Sequence, residues 1–243
     1  MKVLKNLDVS NIVFLDIETV SQQQEYEVLE NDWKLLWDKK AKALAKNEES
    51  AEEVYERAGI YAEFGKIICI GVGVLREFGD GYKLRVKTFS GDDEKILLKE
   101  FADMLNGHYH GHQFLLCAHN GKEFDFPYLS RRMLVHGIVL PQLLDNAGKK
   151  PWEVPHLDTM ELWKFGDYKN FTSLNLLAKI FDIPTPKDDI DGSQVGSVYW
   201  QDHDLERIAL YCSKDVITLT RLFLKFRGEG FLEDERVEYI RDN

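Results

Sequence analysis

The sequence predicts a single α/β domain, because apolar strands come first and then alternate with amphipathic helices along 243 residues. A β-branched apolar run at Asn11–Ile17 predicts a buried first strand. Two further runs, Ile67–Leu75 and Tyr82–Phe89, flank the turn-rich Glu77–Gly81 and predict an antiparallel hairpin. A chain of this length can bury one sizeable core, so we expect residues 1–243 to form one domain.

Between the first strand and the hairpin, at about residues 22–58, the composition changes to mostly Glu, Lys, Ala and Leu. Trp33, Leu36 and Trp37 lie at helical spacing within this segment. We interpret it as a helical insertion in which the two tryptophans are packing groups.

After the hairpin, helices and strands alternate. Asp92–Leu105 opens with acidic residues and has apolar residues at helical spacing, which predicts an amphipathic helix. Phe114–Ala118 predicts a short strand, and a further helix is expected to begin at Asp125. Thr172–Phe181, capped by its first or second residue, and Asp202–Phe226 predict the last two helices.

Two later stretches have less definite patterns. Leu157–Phe165 fits either a strand or a helix, and the polar Ile183–Tyr199, which contains Gly and Pro, predicts a surface loop.

Bulk composition excludes several classes of protein. No apolar run approaches the roughly 18–20 residues of a membrane span, and the N-terminus has no apolar signal region. Cys69, Cys117 and Cys212 are odd in number and lack the paired spacing of a zinc site. We therefore expect reduced, buried thiols in a cytoplasmic protein.

The net charge of −11 argues against non-specific coating of a long polyanion, because phosphate backbones attract Lys and Arg. Part of this charge can lie in the insertion, and part in a site that cations neutralise. The net charge is therefore compatible with a small metal-bearing cleft that binds the end of a nucleic acid strand.

The first acidic cluster is the pair Asp16 and Glu18 in the string FLDIETV. Side chains at positions i and i+2 of a strand project from one face, so both carboxylates point the same way from the buried strand, which we expect to end there. Like charges this close repel unless they are protonated or bridged by a cation. The apolar run before the pair favours a metal site over a chance Asp-x-Glu.

The second cluster is the stretch from Asn120 to Asp125, which follows a predicted strand. Two interpretations are open. Asp125 could cap the helix that follows while Asn120 and Gly121 form a turn. Alternatively, Asp125 holds a metal ion at the carboxyl edge of the sheet, where α/β proteins bind ligands.

The third cluster is Tyr211 with Asp215, one turn apart on the last predicted helix. An Asp in mid-helix has poor helix propensity and no cap to form. A metal ligand with a neighbouring hydroxyl therefore explains the pair better than a solvated surface pair.

Together the clusters supply four carboxylates, which indicates a hard cation such as Mg²⁺ or Mn²⁺ rather than zinc. Two such ions about 3.5–4 Å apart stabilise both the attacking and the leaving oxygen of an in-line phosphoryl displacement. Tyr211 would orient the attacking water through its hydroxyl, without ionising.

In order along the chain, FLDIETV, HNGKEFDFPYL and YCSKDV resemble the three exonuclease motifs of the DEDD 3′–5′ exonucleases. The third motif resembles that of the family branch that carries a tyrosine at this position, which is Tyr211 here. The second motif resembles the proofreading exonuclease domain of family B DNA polymerases and its stand-alone bacterial relatives. Since these 243 residues hold no polymerase domain, we expect no proofreading in cis.

The resemblance implies an RNase H-like fold, with a mixed five-stranded sheet flanked by helices and a helical insertion after the first strand. It implies two Mg²⁺ or Mn²⁺ ions and a set of site residues at matching positions. The metal ligands would be Asp16, Glu18, Asp125 and Asp215. Tyr211 would orient the attacking water, and the terminal nucleotide would be contacted by Thr19, Asn120 and Phe124.

The expected activity is metal-dependent 3′–5′ exonuclease hydrolysis of phosphodiester bonds at single-stranded 3′ ends, with DNA favoured. A 3′–5′ exoribonuclease or oligonucleotidase of the same fold is the alternative within enzymes. A non-catalytic nucleic-acid-binding module is the alternative from another class.

Several other polar and aromatic residues are not assigned to the site. We expect His119 to be a hydrogen-bonded neighbour and favour a surface position for Asp158 over one behind the metal ligands. The remaining residues are interpreted as solvated charges, Lys122, Lys187 and Arg207, and as packing aromatics, Trp163, Tyr199 and Trp200.

Overall fold

The computed structural model describes residues 1–46, 49–167, 169, 171–184 and 190–240. Their strands form one mixed sheet and are β1 (Ile12–Ser21), β2 (Gly65–Phe78), β3 (Gly81–Ser90), β4 (Leu115–Ala118), β5 (Leu157–Asp158) and β6 (Val237–Tyr239). Their spatial order is β5-β4-β1-β2-β3-β6. The predicted hairpin is confirmed as the antiparallel pair β2–β3, while β1 pairs antiparallel with β2 and parallel with β4.

The sheet has six strands in the described chain, so the expectation of five was wrong. The extra strand, β6, is only three residues long and lies parallel to the edge of β3. Its three residues, Val-Glu-Tyr, are too few for their alternation to be distinguished from chance in an acidic tail, so this strand was not predicted.

The helices confirm most of the predicted pattern. They are α1 (Lys2–Lys5), α2 (Asn31–Leu44), α3 (Glu94–His108), α4 (Asp125–Val135), α5 (Thr159–Lys164), α6 (Leu174–Ile180), α7 (Val195–Ser197) and α8 (Leu205–Arg227). The ambiguous stretch near Leu157 holds both a strand and a helix, since β5 leads directly into α5. Ser173 caps α6 by accepting a hydrogen bond from the amide of Leu176.

The stretch Ile183–Tyr199 was predicted as a surface loop, and its described part corrects this. Residues 185–189 lie outside the described chain, but α7 and a π-helical turn at Val198–Asp202 follow them. Val195 and Tyr199 are buried in this short helical segment. With Val198, these are three buried apolar residues in one short stretch, which covers too few turns to show helical periodicity in the sequence.

The first strand divides the core between the two faces of the sheet. Val13, Leu15 and Ile17 pack toward α3 and α4, whereas Ile12 and Phe14 pack toward α6 and α8. By the same alternation, Asp16 and Glu18 project on the α8 side. The strand also continues to Ser21, so the prediction that it ends at this acidic pair was wrong.

The insertion is helical as predicted and has a small core of its own. Trp37 is fully buried, and its indole N–H donates to the carbonyl of Ala51 at 2.7 Å. Trp33 is partly exposed and contacts the ring of Phe64. The segment is fixed to the domain where the Tyr128 hydroxyl donates to the carbonyl of Gly59 at 2.8 Å.

The three cysteines are buried and unpaired, as predicted. Within the described residues, no helix combines the length and the apolar character needed to cross a bilayer.

Candidate active site

The first strand delivers two carboxylates to one point on the sheet. Asp16 pairs with Gly71 of β2, and Glu18 pairs with Cys69. The β1–β2 register shifts immediately after Glu18, because Thr19 pairs with Ile67 and leaves one β2 residue without a partner on β1. Since the strand core fixes the backbone, both side chains are held on the face toward α8.

The long helix α8 reaches the sheet because β2 has glycine at two successive positions on that face. A Cβ at Gly71 would lie 2.8 Å from Val216 Cγ2 and 2.9 Å from Cys212 Sγ. A Cβ at Gly73 would lie 2.7 Å from Val216 Cγ1. These contacts are too close for any side chain, so the glycines let α8 approach β2 and bring Tyr211 and Asp215 to the acidic pair.

The start of α4 supplies the third element. Asp125 is buried, and its carboxylate accepts hydrogen bonds from its own amide and from the amide of Ile17 on β1. The residue at the cap position is Phe124, and Asp125 is the first residue of the helix. The carboxylate therefore points to β1 next to Asp16, and the capping interpretation was wrong.

Mutual repulsion and burial dominate the electrostatics of the cluster. Burial raises the pKa of Asp16 and of Glu18 well above the usual range, and the charges of Asp215 and Asp125 raise both further. Burial also raises the pKa of Asp125 to about 7, with a further contribution from Asp158. The structure thus brings the four predicted carboxylates together, and burial disfavours the charged forms of Asp16, Glu18 and Asp125.

Tyr211 lies beside this cluster. Its hydroxyl is hydrogen-bonded to Asp215. Burial, followed by the charges of Asp215 and Glu18, raises the pKa of Tyr211 far above its ordinary value. The phenol therefore stays protonated at neutral pH and can act as a hydrogen-bond donor. Gly192 lies opposite, where a Cβ would be 3.9 Å from the Tyr211 hydroxyl oxygen.

Sequence reasoning missed Cys212 as a neighbour of the site. Its Sγ lies 3.5 Å from Asp16 Oδ2, and a ligand atom from each of Asp16, Glu18 and Cys212 fits within 4.8 Å of the others. The signal available was its position directly after Tyr211, on the helix face that packs against β2. The sequence alone identified it only as a buried thiol.

Asp158 is 2% exposed, so the favoured surface position was wrong. Its carboxylate accepts from the amides of Asn120 at 3.0 Å and Lys122 at 3.1 Å, and caps α5 through the amide of Met160 at 2.9 Å. It thus fixes the turn before Asp125. The Asp-Thr-Met-Glu string is a helix-start signature that could have indicated this cap.

The predicted nucleotide-contacting residues lie next to the cluster. Thr19 follows Glu18, and its hydroxyl is hydrogen-bonded to Tyr128. Asn120 has a left-handed backbone with φ of 65°, and Phe124 packs against Tyr128 with ring centroids 5.3 Å apart. All three are partly exposed, so contact with a nucleotide stays a prediction.

The residues set aside earlier behave mostly as expected. His119 is hydrogen-bonded on both ring nitrogens, to Thr159 and to Thr172. Lys122 and Arg207 form ion pairs with acidic neighbours, and Lys187 lies outside the described residues. The aromatic residues pack within the protein: Trp163 stacks on Phe226, and Tyr199 and Trp200 join the cluster beside α8.

Comparison with known proteins identifies the family to which this mixed sheet with its buried acidic cluster belongs. Residues 60–240 match the model of a family described as predicted 3′–5′ exonucleases related to the exonuclease domain of PolB. The chain belongs to this family and is an enzyme of the 3′–5′ exonuclease type. The matched residues include Asp125, Tyr211 and Asp215, whereas Asp16 and Glu18 precede them.

A solved structure with a similar fold is the family B DNA polymerase from the hyperthermophilic archaeon Pyrobaculum calidifontis, with a TM-score of 0.51 and 16% identity. The similarity covers 88% of this chain and 24% of the polymerase, so the chain spans about a quarter of that protein. No curated protein matches the sequence. The match to the family model confirms the predicted relation to the polymerase exonuclease domain.

Proposed function

We propose that this chain is a metal-dependent 3′–5′ exonuclease that hydrolyses the terminal phosphodiester bond of a single-stranded nucleic acid, with DNA favoured. The observation that carries the proposal is the convergence of Asp16, Glu18, Asp125 and Asp215 from three separate elements. Burial first, and then the repulsion between these carboxylates, raises the pKa of Asp16 and Glu18, and a bound cation would offset both effects.

The donor set fits two hard divalent cations. The charges that act on Asp16 and Glu18 are those of other carboxylates, which raise the pKa values of both groups. Carboxylate oxygens are the ligands that Mg²⁺ and Mn²⁺ prefer. When bound by the four carboxylates, the two ions would supply activation of a water molecule and neutralisation of charge on the leaving oxygen.

The other residues of the site orient the reactants. The protonated Tyr211 hydroxyl would hold the attacking water in line with the scissile bond. A P–O bond forms to the water oxygen, and the P–O3′ bond breaks. The departing 3′ oxygen takes a proton, and a nucleoside 5′-monophosphate is released. Thr19, Asn120 and Phe124 would hold the terminal nucleotide during this step.

The decisive experiment compares Asp16→Asn and Asp215→Asn with the wild type on oligonucleotides labelled at the 5′ or the 3′ end. With Mg²⁺ or Mn²⁺, we expect a ladder from the 5′ label, release of a single labelled mononucleotide from the 3′ label, and at least about 10³-fold loss in each variant. Asp103→Asn on the exposed face of α3 is the matched control and should keep full activity.

Circular dichroism should show an unchanged fold in all variants. Full activity in either site variant would refute the metal site. Absence of cleavage by the wild type together with strand binding would favour a non-catalytic module instead. Parallel digestion of DNA and RNA strands distinguishes the two substrates, because only RNA offers a 2′-hydroxyl for recognition.

A further inference from the structure

Two phenylalanines between α5 and α6 expose most of their rings to solvent. Phe165 is 77% exposed and Phe171 is 63% exposed. The ammonium of Lys164 lies 4.4 Å from the ring centroid of Phe171, which is a cation–π geometry on an exposed surface. Exposed aromatic faces next to a lysine are the elements from which single-stranded nucleic acid sites are built.

The segment that carries these rings is attached at both ends to the loop of the candidate site. His119 contacts Thr159 Oγ1 at the start of α5 through Nδ1, and the carbonyl of Thr172 through Nε2, each at 2.8 Å. His119 directly precedes Asn120, and Phe171 directly precedes Thr172. Phe171 therefore borders the loop that leads to Asp125, and Lys164 connects Phe171 to the end of α5 that carries Phe165.

The backbone at Phe165 is strained. It has φ of 46° and ψ of 35°, the left-handed region that bulky side chains rarely adopt. This conformation ends α5 and turns the ring away from the core, where its contact is the edge of Trp163 at 6.5 Å between centroids. Strain that places an apolar ring in solvent is typical of a residue with a binding role.

Charge is also favourable on this segment. Residues 159–171 contain two acidic and two basic side chains and are neutral, whereas the whole chain has a net charge of −11. Glu161, one of the two acidic residues, is further paired with Lys122 at 2.9 Å. A polyanion thus meets less repulsion here than the overall charge of the protein would suggest.

We propose that Phe165, Phe171 and Lys164 form a stacking platform for the bases of a single strand that lie upstream of its two terminal nucleotides. This inference rests on the proposed function and specifies its substrate. Unpaired bases offer free faces to aromatic rings, whereas the bases of a duplex are already stacked on each other. The platform therefore selects single-stranded 3′ extensions over blunt duplex ends.

The test combines Phe165→Ala with Phe171→Ala in the Asp16→Asn background, so that the strand stays intact. Fluorescence anisotropy should show that the double variant binds a ten-nucleotide single strand about tenfold or more weakly. Phe78→Ala is the matched control, because Phe78 is 57% exposed with Lys83 5.9 Å from its ring, at the far end of β2. Its binding should be unchanged.

Kinetics separate this inference from the proposed function. With the Asp16 side chain intact, the double variant should cleave a dinucleotide as fast as the wild type but have about tenfold higher KM on the longer strand. Absence of cleavage of both the dinucleotide and the longer strand by the wild type would refute the proposed function, whatever the binding result.

Three outcomes would overturn the platform. The first is unchanged affinity of the double variant for the single strand. The second is an equal loss for single strand and blunt duplex. The third is concentration-dependent self-association that the double variant abolishes without any change in oligonucleotide binding, which would assign the exposed rings to a contact between copies of the chain.

Discussion

Replacing Asp125 with Asn tests whether the carboxylate cluster destabilises the metal-free protein at neutral pH. Burial raises the pKa of Asp125 from 3.8 to about 7 in the folded chain. Because the folded-state pKa is the higher one, the unfolded chain releases this proton first as the pH rises. The contribution of the group to stability is therefore full below about pH 4 and is lost progressively up to about pH 7.

The size of the effect follows from the shift. One pKa unit corresponds to about 1.4 kcal/mol, so a shift of about 3 units lowers the free energy of unfolding by roughly 4 kcal/mol at pH 8. Since part of this loss has already occurred at pH 5, about 3 kcal/mol separates pH 5 from pH 8. For a domain of this size that corresponds to a change of about 5–10 °C in Tm.

The assay is thermal unfolding of the wild type and Asp125→Asn in EDTA between pH 5 and pH 8. Asn cannot titrate, but its carbonyl can still accept the Ile17 hydrogen bond. The Tm of the variant relative to the wild type should therefore rise by about 5–10 °C from pH 5 to pH 8. Mn²⁺ at 100 times the wild-type Kd should stabilise the wild type at pH 8 by about 2.7 kcal/mol for a single site, and should stabilise the variant less.

A Tm difference between the two proteins that stays constant with pH in EDTA would refute this reasoning. It would mean that the Asp125 carboxyl titrates alike in the folded and unfolded chains, and that the cluster needs no cation to relieve it.

Two further predictions concern residues that act beside the four carboxylates. Tyr211→Phe should lower kcat roughly 100-fold and leave KM for the strand unchanged, because only the water-orienting hydroxyl is lost; unchanged kcat would exclude that role. Asp158→Ala should lower the free energy of unfolding, measured by urea denaturation, by about 2–4 kcal/mol, because the amides of Asn120, Lys122 and Met160 lose their acceptor. Asp158→Asn should lower it less, because the Asn carbonyl can still accept. Equal effects of the two changes would contradict this account.

The parts of the fold that could be predicted are those whose burial repeats along the chain. The strand at Asn11–Ile17 and the first strand of the hairpin are continuous apolar runs, because both faces of the central sheet are covered there. The second strand of the hairpin alternates apolar and charged residues. The last helix shows its period over more than six turns. By contrast, β6 and the helical segment at Val195 each depend on tertiary contacts made by a few residues in a short stretch, which leave no period to detect.

The same distinction holds within the site. Asp16, Glu18, Tyr211 and Asp215 could be placed on common faces, because strand and helix geometry fix the direction of side chains at i+2 and i+4. The burial of Asp158 could not be predicted in this way, because its carboxylate binds two backbone amides of a loop 36 and 38 residues earlier in the chain. A carboxylate whose partners are backbone groups has no partner side chain to recognise in the sequence.

The acidic pair on β1 precedes the residues that match the family, and the sheet is what connects it to them. Asp16 pairs with Gly71 and Glu18 with Cys69, and both partners lie within the matched residues. Moving β1 by one residue would turn both carboxylates to the opposite face and bury them among the apolar side chains beneath α3. The register is therefore fixed by the apolar core, and the catalytic arrangement that we propose follows from the same alternation that makes β1 a buried strand.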